Sequence, residues 1–157
     1  MKGNERLIGT LNGLLADELT AINQYMVHSE MCANWGYERL HKAIEARAIV
    51  EMRHAEKLIG RIIFLEGSPT VSTLRTMAIG GDVLGQHTND LAAELRAVQA
   101  YNAGIWLAGE VDDHGTRELL DAILQNEEEH VDWLETQLDQ IKQIGLQNYL
   151  AEQTETE

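Results

Sequence analysis

The chain repeats itself at an offset of 76 residues, and this repeat restricts the possible folds more than any other feature of the sequence. Each half carries a glutamate followed 33 residues later by a Glu-x-x-His motif, and apolar positions keep the same offset. The paired positions are Glu18, Glu51 and His54 with Glu94, Glu127 and His130, and Leu15, Ile22, Tyr25, Leu58, Ile62 and Leu65 with Leu91, Val98, Tyr101, Leu134, Leu138 and Ile141. The repeat predicts two similar helical hairpins.

Apolar residues recur at steps of three and four positions in four long stretches, which is the spacing of amphipathic helices. We predict helices near 5–34, 39–66, 83–111 and 116–144, with breaks that contain Gly36, Pro69, Gly115 and Gly145. A short fifth helix is predicted over 146–153. A helix that short is marginal alone, so it needs another surface to pack on, in this protein or in a neighbouring subunit.

The connection between the second and third helices determines the topology. Its 16 residues can reach about 53 Å, whereas a 28-residue helix is about 42 Å long, so the connection can cross the whole bundle. The short turns make the first pair and the last pair antiparallel. We therefore predict an all-α fold in a single domain over 1–157: a ferritin-like antiparallel four-helix bundle with a long crossover and a short C-terminal fifth helix.

The charge balance limits the possible partners. The formal net charge is −14, with 26 acidic against 12 basic side chains, which argues against binding nucleic acid or anionic lipid and favours cations. The lone cysteine, Cys32, cannot form an internal disulfide, and no stretch approaches the roughly 18 apolar residues of a membrane-spanning helix. We expect a cytoplasmic protein.

The four repeated glutamates each stand in an apolar stripe where an apolar residue is the natural occupant. Buried acids without compensating charge cost several kcal/mol apiece, so a cation cluster is the simplest remedy. In each Glu-x-x-His motif the two side chains share one helix face and can ligate one site. Carboxylates with some imidazole suit iron, so we predict that two iron ions bind among Glu18, Glu51, His54, Glu94, Glu127 and His130.

A third Glu-x-x-His motif, Glu38 with His41, lacks this support. Its partners at the 76-residue offset are His114 and Arg117, so the symmetry fails, and we expect a surface pair. His28, His87 and His114 also lack such a context. We expect packing or surface roles for these three histidines.

Taken together, these motifs resemble the bacterioferritins over nearly the whole chain. The matching stretches are MKG, ELTAINQY, EMRHAE, RIIFLEG, NEEEHVDWLETQLD and IGLQNYL. The resemblance implies a shell of 24 subunits, a di-iron ferroxidase centre in each subunit and a mineral core in the cavity. It also implies a b-type haem shared between two subunits.

The resemblance assigns roles to further residues. Met52 matches the haem axial ligand, and because it directly follows Glu51 it points outward if Glu51 points inward. Without haem, such a methionine would simply pack at a subunit contact. Tyr25 matches a tyrosine that supplies an electron near the di-iron site, and its alternative role is core packing.

The resemblance also extends to a pore and includes one departure. Asn34, Glu66, Asp132 and Thr136 match residues that line a pore between subunits, and their alternative role is that of ordinary interface polar groups. Some family members carry a histidine and an acid for an extra iron on the cavity wall. Ala46 and Val50 occupy those places here and cannot ligate iron, which leaves open the route from the centre to the core.

The main functional expectation is Fe(II) oxidation by dioxygen or hydrogen peroxide, with storage of the ferric product. Haem would assist reductive release, with a small ferredoxin as electron donor. One alternative is a rubrerythrin-like peroxidase, but such proteins usually add a cysteine-rich iron domain that a single cysteine cannot build. The other is a haem-free structural or metal-buffering shell, which haem content and oxygen consumption would distinguish.

Overall fold

The structure, a computed structural model, describes residues 1–154 and consists of five helices with no strand in that range. They are α1 (Glu5–Asn34), α2 (Glu38–Phe64), α3 (Val83–Glu110), α4 (His114–Ile144) and α5 (Leu146–Glu152). The predicted all-α class is confirmed, and the helix ends fall within two residues of those predicted. The predicted domain, 1–157, includes residues 155–157, which lie outside the described part. No helix of the described part combines the length and hydropathy needed to cross a membrane.

Side chains just before three of the helices determine where those helices begin. An asparagine or aspartate oxygen accepts a hydrogen bond from the backbone N–H three residues later, which satisfies a donor that the helix itself leaves free. Helix α4 begins two residues before the predicted position because Asp113 caps it, while Gly145, at φ 84°, separates it from α5. The capping pairs are Asn4 with Leu7, Asp82 with Gly85 and Asp113 with Thr116.

The crossover between α2 and α3 runs along the length of α1. The backbone N–H of Arg75 donates to Thr20 Oγ1 at 2.8 Å, and that of Gly80 donates to His28 Nε2 at 2.9 Å. Helix α3 therefore starts beside the C-terminal part of α1 and runs antiparallel to it. Because α2 is also antiparallel to α1, helices α2 and α3 are parallel, and the predicted crossover topology is confirmed.

The apolar core divides into two main clusters with a polar layer between them. On α1, Leu15 belongs to the first cluster, Tyr25 belongs to the second, and Glu18 lies between the two. On α2, Ala48 and Ala55 flank Glu51 in the same way. The repeated acids therefore occupy one level in the middle of the bundle.

Helix α5 packs on the end of its own bundle. Tyr149 is buried in the second core cluster, and its hydroxyl donates to Gln137 Oε1 at 2.6 Å. The backbone N–H of Arg39, at the start of α2, donates to the carbonyl of Gln153 at 3.0 Å. These contacts provide the surface that so short a helix requires, without a second subunit.

Candidate di-metal site

The six side chains singled out by the repeat meet in the polar layer, and we refer to them as the acid–histidine cluster. Helix α1 contributes one, α2 two, α3 one and α4 two, and each side chain is at most 7% exposed. Their potential ligand atoms form two groups, each within 4.8 Å: Glu18, Glu51, His54 and Glu127, and Glu51, Glu94 and His130. Glu51 belongs to both groups, so its carboxylate lies where it could bridge two ions.

The two histidines face the carboxylates through Nδ1. His54 Nδ1 lies 3.2 Å from Glu127 Oε1, 3.3 Å from Glu51 Oε2 and 3.6 Å from Glu18 Oε2. His130 Nδ1 lies 2.9 Å from Glu94 Oε1. On the far side of its ring, His54 Nε2 lies 3.0 Å from Asn126 Oδ1, an acceptor. Asn126 therefore favours the tautomer in which Nδ1 of His54 is free to bind a metal.

The pKa values of the acids are shifted in opposite directions by burial and repulsion on one side and by hydrogen bonds and the Arg47 charge on the other. Burial, with the neighbouring Glu51 charge, raises the pKa of Glu18, and burial with the nearby Glu94 and Glu18 raises the pKa of Glu127 well above its usual value. Burial would also raise the pKa of Glu51, but hydrogen bonds with Glu18 and His54 and the Arg47 charge outweigh it and lower that pKa. The metal-free cluster thus holds protons that arriving cations would displace.

A guanidinium group that the sequence reasoning missed lies inside the cluster. The side chain of Arg47 is 11% exposed, its Nε donates to Glu51 Oε1 at 2.8 Å, and its Nη2 donates to Glu127 Oε2 at 3.1 Å. Glu94 Oε2 is 4.0 Å from Nη2, and the carbonyl of Asn126 accepts from Nη1 at 3.1 Å. The sequence did contain one signal for this role of Arg47, which is its position one turn before Glu51 on the same helix face.

Several atoms of the cluster lack a hydrogen-bond partner among residues 1–154. Buried polar atoms are rarely left unpaired, so a group of them facing one another indicates a site for something else. Four carboxylates and two imidazoles form a donor set suited to two divalent first-row cations, and iron fits it. The unpaired atoms are Glu18 Oε2, Glu94 Oε2, Glu127 Oε1 and His130 Nδ1.

Two tyrosine hydroxyls contact the acids from opposite halves of the repeat. Tyr25 donates to Glu94 Oε1, and Tyr101 donates to Glu18 Oε1 at 2.5 Å. Burial, followed by the nearby carboxylate charges, raises the pKa of both phenols well above the usual value. The sequence identified Tyr25 as a site residue, whereas Tyr101 entered only as an apolar match at the 76-residue offset.

Cavities flank the cluster on two sides. The α1/α3 cavity, of about 450 Å³, reaches Glu18 and Glu94 and is bordered by Asp17 and by Arg75 of the crossover. The α2/α4 cavity, of about 250 Å³, is lined by Ala46, Arg47, Val50, Glu129, His130 and Trp133. Arg47 and His130 connect the cluster to the α2/α4 cavity, and Ala46 and Val50 supply no ligand there.

The remaining predicted residues lie outside the cluster. Met52 is 40% exposed next to the buried Glu51. The four residues matched to a pore are all exposed, but one chain does not bring them together: Asn34 ends α1 beside the start of α2, and Glu66 follows the far end of α2, about 40 Å away. Asp132 and Thr136 lie one turn apart on α4.

The third Glu-x-x-His motif is also separate from the cluster, but His41 is not the surface residue that we expected. Its side chain is 18% exposed, because Nδ1 lies 2.9 Å from Ser29 Oγ on α1. Of the other three histidines, His28 and His87 are buried and His114 is exposed.

Comparison with known proteins agrees with this architecture. A family model for the ferritin-like domain matches residues 8–144. A bacterioferritin of Brucella melitensis biotype 1 is 41% identical over 149 residues, which covers 95% of this chain and 92% of the relative. Bacterioferritins of Mycolicibacterium paratuberculosis and Rhodobacter capsulatus are 39% and 38% identical, over 97% and 95% of this chain and 96% and 92% of the relatives.

The helical bundle and the domain match together define a ferritin-like protein. Several bacterioferritins are 38–41% identical to this chain over 95–97% of its length, which identifies the family within that class. The chain belongs to the bacterioferritin family.

Proposed function

We propose that the protein stores iron, oxidising Fe(II) at the acid–histidine cluster with dioxygen or hydrogen peroxide and keeping the ferric product in a hollow shell of 24 copies. The observation that carries this proposal is the convergence of four buried carboxylates and two imidazoles, several of whose atoms have no hydrogen-bond partner in the described chain. The relatives' name, bacterioferritin, supports iron as the substrate.

Each part of the cluster has a task in this reaction. The α1/α3 cavity leads Fe(II) to Glu18 and Glu94, past the ion pair that Asp17 forms with Arg75. Binding releases the protons held by Glu18 and Glu127, because a carboxylate must be deprotonated to act as a ligand. Glu51 lies within both ligand groups and offsets the charge that increases when Fe(II) becomes Fe(III). The Tyr25 phenol, bonded to Glu94, is an electron donor beside the site.

Haem binding belongs to the same proposal, with Met52 as axial ligand. The Met52 side chain is exposed, and Ile49, three residues earlier on the same helix face, is an exposed apolar neighbour. A neutral soft ligand of this kind fits haem iron, and a two-fold related copy would supply the second sulfur. The haem would carry electrons from a small ferredoxin for reductive release.

Oxygen uptake on adding Fe(II) to the metal-free assembly tests the proposal. We expect rapid oxygen consumption with growth of ferric absorbance, a particle mass equal to 24 chains, and a haem spectrum with one haem per two subunits. Uptake of Fe(II) with no oxidation by dioxygen or by added hydrogen peroxide would contradict the ferroxidase assignment and favour the metal-buffering shell.

A further inference from the structure

Tyr25 and Tyr101 are related by the same 76-residue offset as the ligands, and their contacts repeat this symmetry. Tyr25, in the first half, donates to Glu94 in the second, while Tyr101, in the second half, donates to Glu18 in the first. Each phenol therefore contacts the acid of the opposite half, and the two phenols approach the cluster from opposite sides.

The environment of Tyr101 does not require a hydroxyl for packing. Its ring lies in the first core cluster, among apolar residues such as Leu11, Leu14 and Leu120, and it is 1% exposed. Phenylalanine would fill the same space, and a hydroxyl is costly to bury unless it is hydrogen-bonded. This hydroxyl is directed at Glu18 Oε1, an atom of a proposed iron ligand, which indicates a chemical role.

We propose that Tyr101 is a second one-electron donor for the reaction, acting through Glu18. The inference depends on the proposed ferroxidase function and adds a residue to it. In the step, the O–H bond of Tyr101 breaks, its proton passes by way of Glu18 Oε1 to the oxygen that is being reduced, and its electron passes to dioxygen at the site. A phenoxyl radical remains on Tyr101, and a further Fe(II) ion, the substrate, restores the phenol by giving one electron while solvent supplies the proton.

With Tyr101 included, the electrons balance for one dioxygen. Two Fe(II) ions give one electron each as they become Fe(III), and Tyr25 and Tyr101 give one electron and one proton each. The four electrons and four protons, two of them from solvent, convert one dioxygen into two water molecules. With a single phenol the sum is three electrons, one short, and reduction stops before water. The pair of tyrosines thus avoids the release of hydrogen peroxide.

The test compares the protein with Tyr25→Phe, Tyr101→Phe and the double variant, each loaded with two Fe(II) per subunit, mixed with dioxygen and freeze-quenched. Electron paramagnetic resonance measures the tyrosyl radical, and a peroxidase-coupled assay measures released hydrogen peroxide. We expect each single variant to keep about half of the radical signal and the double variant to lose it, because each phenol is a one-electron donor. Released peroxide should increase in Tyr101→Phe.

Tyr149→Phe is the matched control, since it removes another buried tyrosine hydroxyl, bonded to Gln137 and close to His87. It should leave the radical signal and the peroxide yield unchanged, while circular dichroism and particle mass verify the fold of every variant. A radical signal in Tyr25→Phe no larger than in the double variant would overturn the role of Tyr101. Absence of Fe(II) oxidation by the unmodified protein would instead contradict the proposed function itself.

Discussion

Replacing Arg47 by methionine should destabilise the metal-free protein strongly and the metal-loaded protein only slightly. The guanidinium is the cation nearest to Glu51 and Glu127, with a side chain only 11% exposed. Methionine keeps much of the length and apolar character of the side chain but removes the charge. Without a metal, the repulsion among the buried acids is then offset only in part, by the His54 imidazole and by the protons that the acids hold.

The structure gives the size of this effect. Removing one partner of a buried ion pair costs about 3–5 kcal/mol, and we expect the lower value, about 3 kcal/mol, because the acids can take up a proton. A domain of this size loses about 2–4 °C in Tm per kcal/mol, so the metal-free Tm should fall by about 6–12 °C. Two bound divalent cations replace the lost charge, and the metal-loaded protein should lose about 1 kcal/mol or less.

Scanning calorimetry at one scan rate, on metal-free and Zn(II)-loaded samples, measures both values without redox chemistry. Arg53→Met is the matched control on the same helix, because the side chain of Arg53 is 61% exposed and pairs with the exposed Glu56, a contact worth at most about 0.5 kcal/mol. Equal losses of Tm in the metal-free and the Zn(II)-loaded Arg47 variant would refute the role of its charge.

The other predictions concern single residues. Glu18→Ala should lower the initial rate of Fe(II) oxidation by more than about 100-fold, which exceeds the usual effect of replacing a residue that only hydrogen-bonds a metal ligand. Size-exclusion chromatography should show an intact assembly. His54→Ala should behave similarly, whereas His41→Ala should oxidise iron at the normal rate, and a comparable loss in both would contradict the repeat argument. Met52→Leu should lose the haem absorbance at unchanged particle mass and oxidation rate; a full haem complement would exclude Met52 as the ligand. Burial lowers the pKa of His87 to about 4, so the stability that depends on its neutral form is complete above about pH 6.5 and is lost as the pH falls towards 4. Between about pH 7.5 and pH 5, the free energy of unfolding should therefore fall by about 2 kcal/mol less in His87→Asn than in the unmodified protein, as measured by urea titration. An equal fall in both proteins would exclude His87 as the cause.

The bundle could be predicted from the sequence because its signals are local and repeated. Helical spacing of apolar residues identified the helices, and a 16-residue connection longer than the bundle determined the topology. The burial of Glu18 and Glu51 also followed, since each stands where its stripe requires an apolar residue. Whether these acids and their histidines bind iron remains a proposal, because geometry shows only that their ligand atoms come together.

Arg47 and the hydroxyl of Tyr101 could not be found in the same way. Arg47 lies one turn before Glu51 on the same helix face, but a charged side chain on a helix is usually solvated, and only the tertiary packing shows that its guanidinium donates to Glu51 and Glu127. Tyr101 fits an apolar stripe as well as phenylalanine would. Its one polar atom becomes informative only when Glu18 is seen 2.5 Å away.

The residues that act between subunits depend on a different kind of information. Met52 and the four residues matched to a pore are exposed in a single chain. A residue that takes part in a site between subunits and an ordinary surface residue are both exposed in this way. Because an axial haem ligand needs its counterpart from a second copy, contacts within one chain leave the assignment as a proposal. Measurements on the assembled particle address these residues directly.

The position of the polar layer explains how one chain can hold so unfavourable a cluster. The two main apolar clusters lie on either side of it, so tertiary packing at both ends of the bundle stabilises the helices independently of the acids. The acids themselves oppose folding when no cation is present, because burial raises the pKa of both Glu18 and Glu127. Loss of a proposed ligand such as Glu18 should consequently abolish oxidation without unfolding the metal-free protein. This separation of stability from function is expected when a site is built for a charge that arrives from outside.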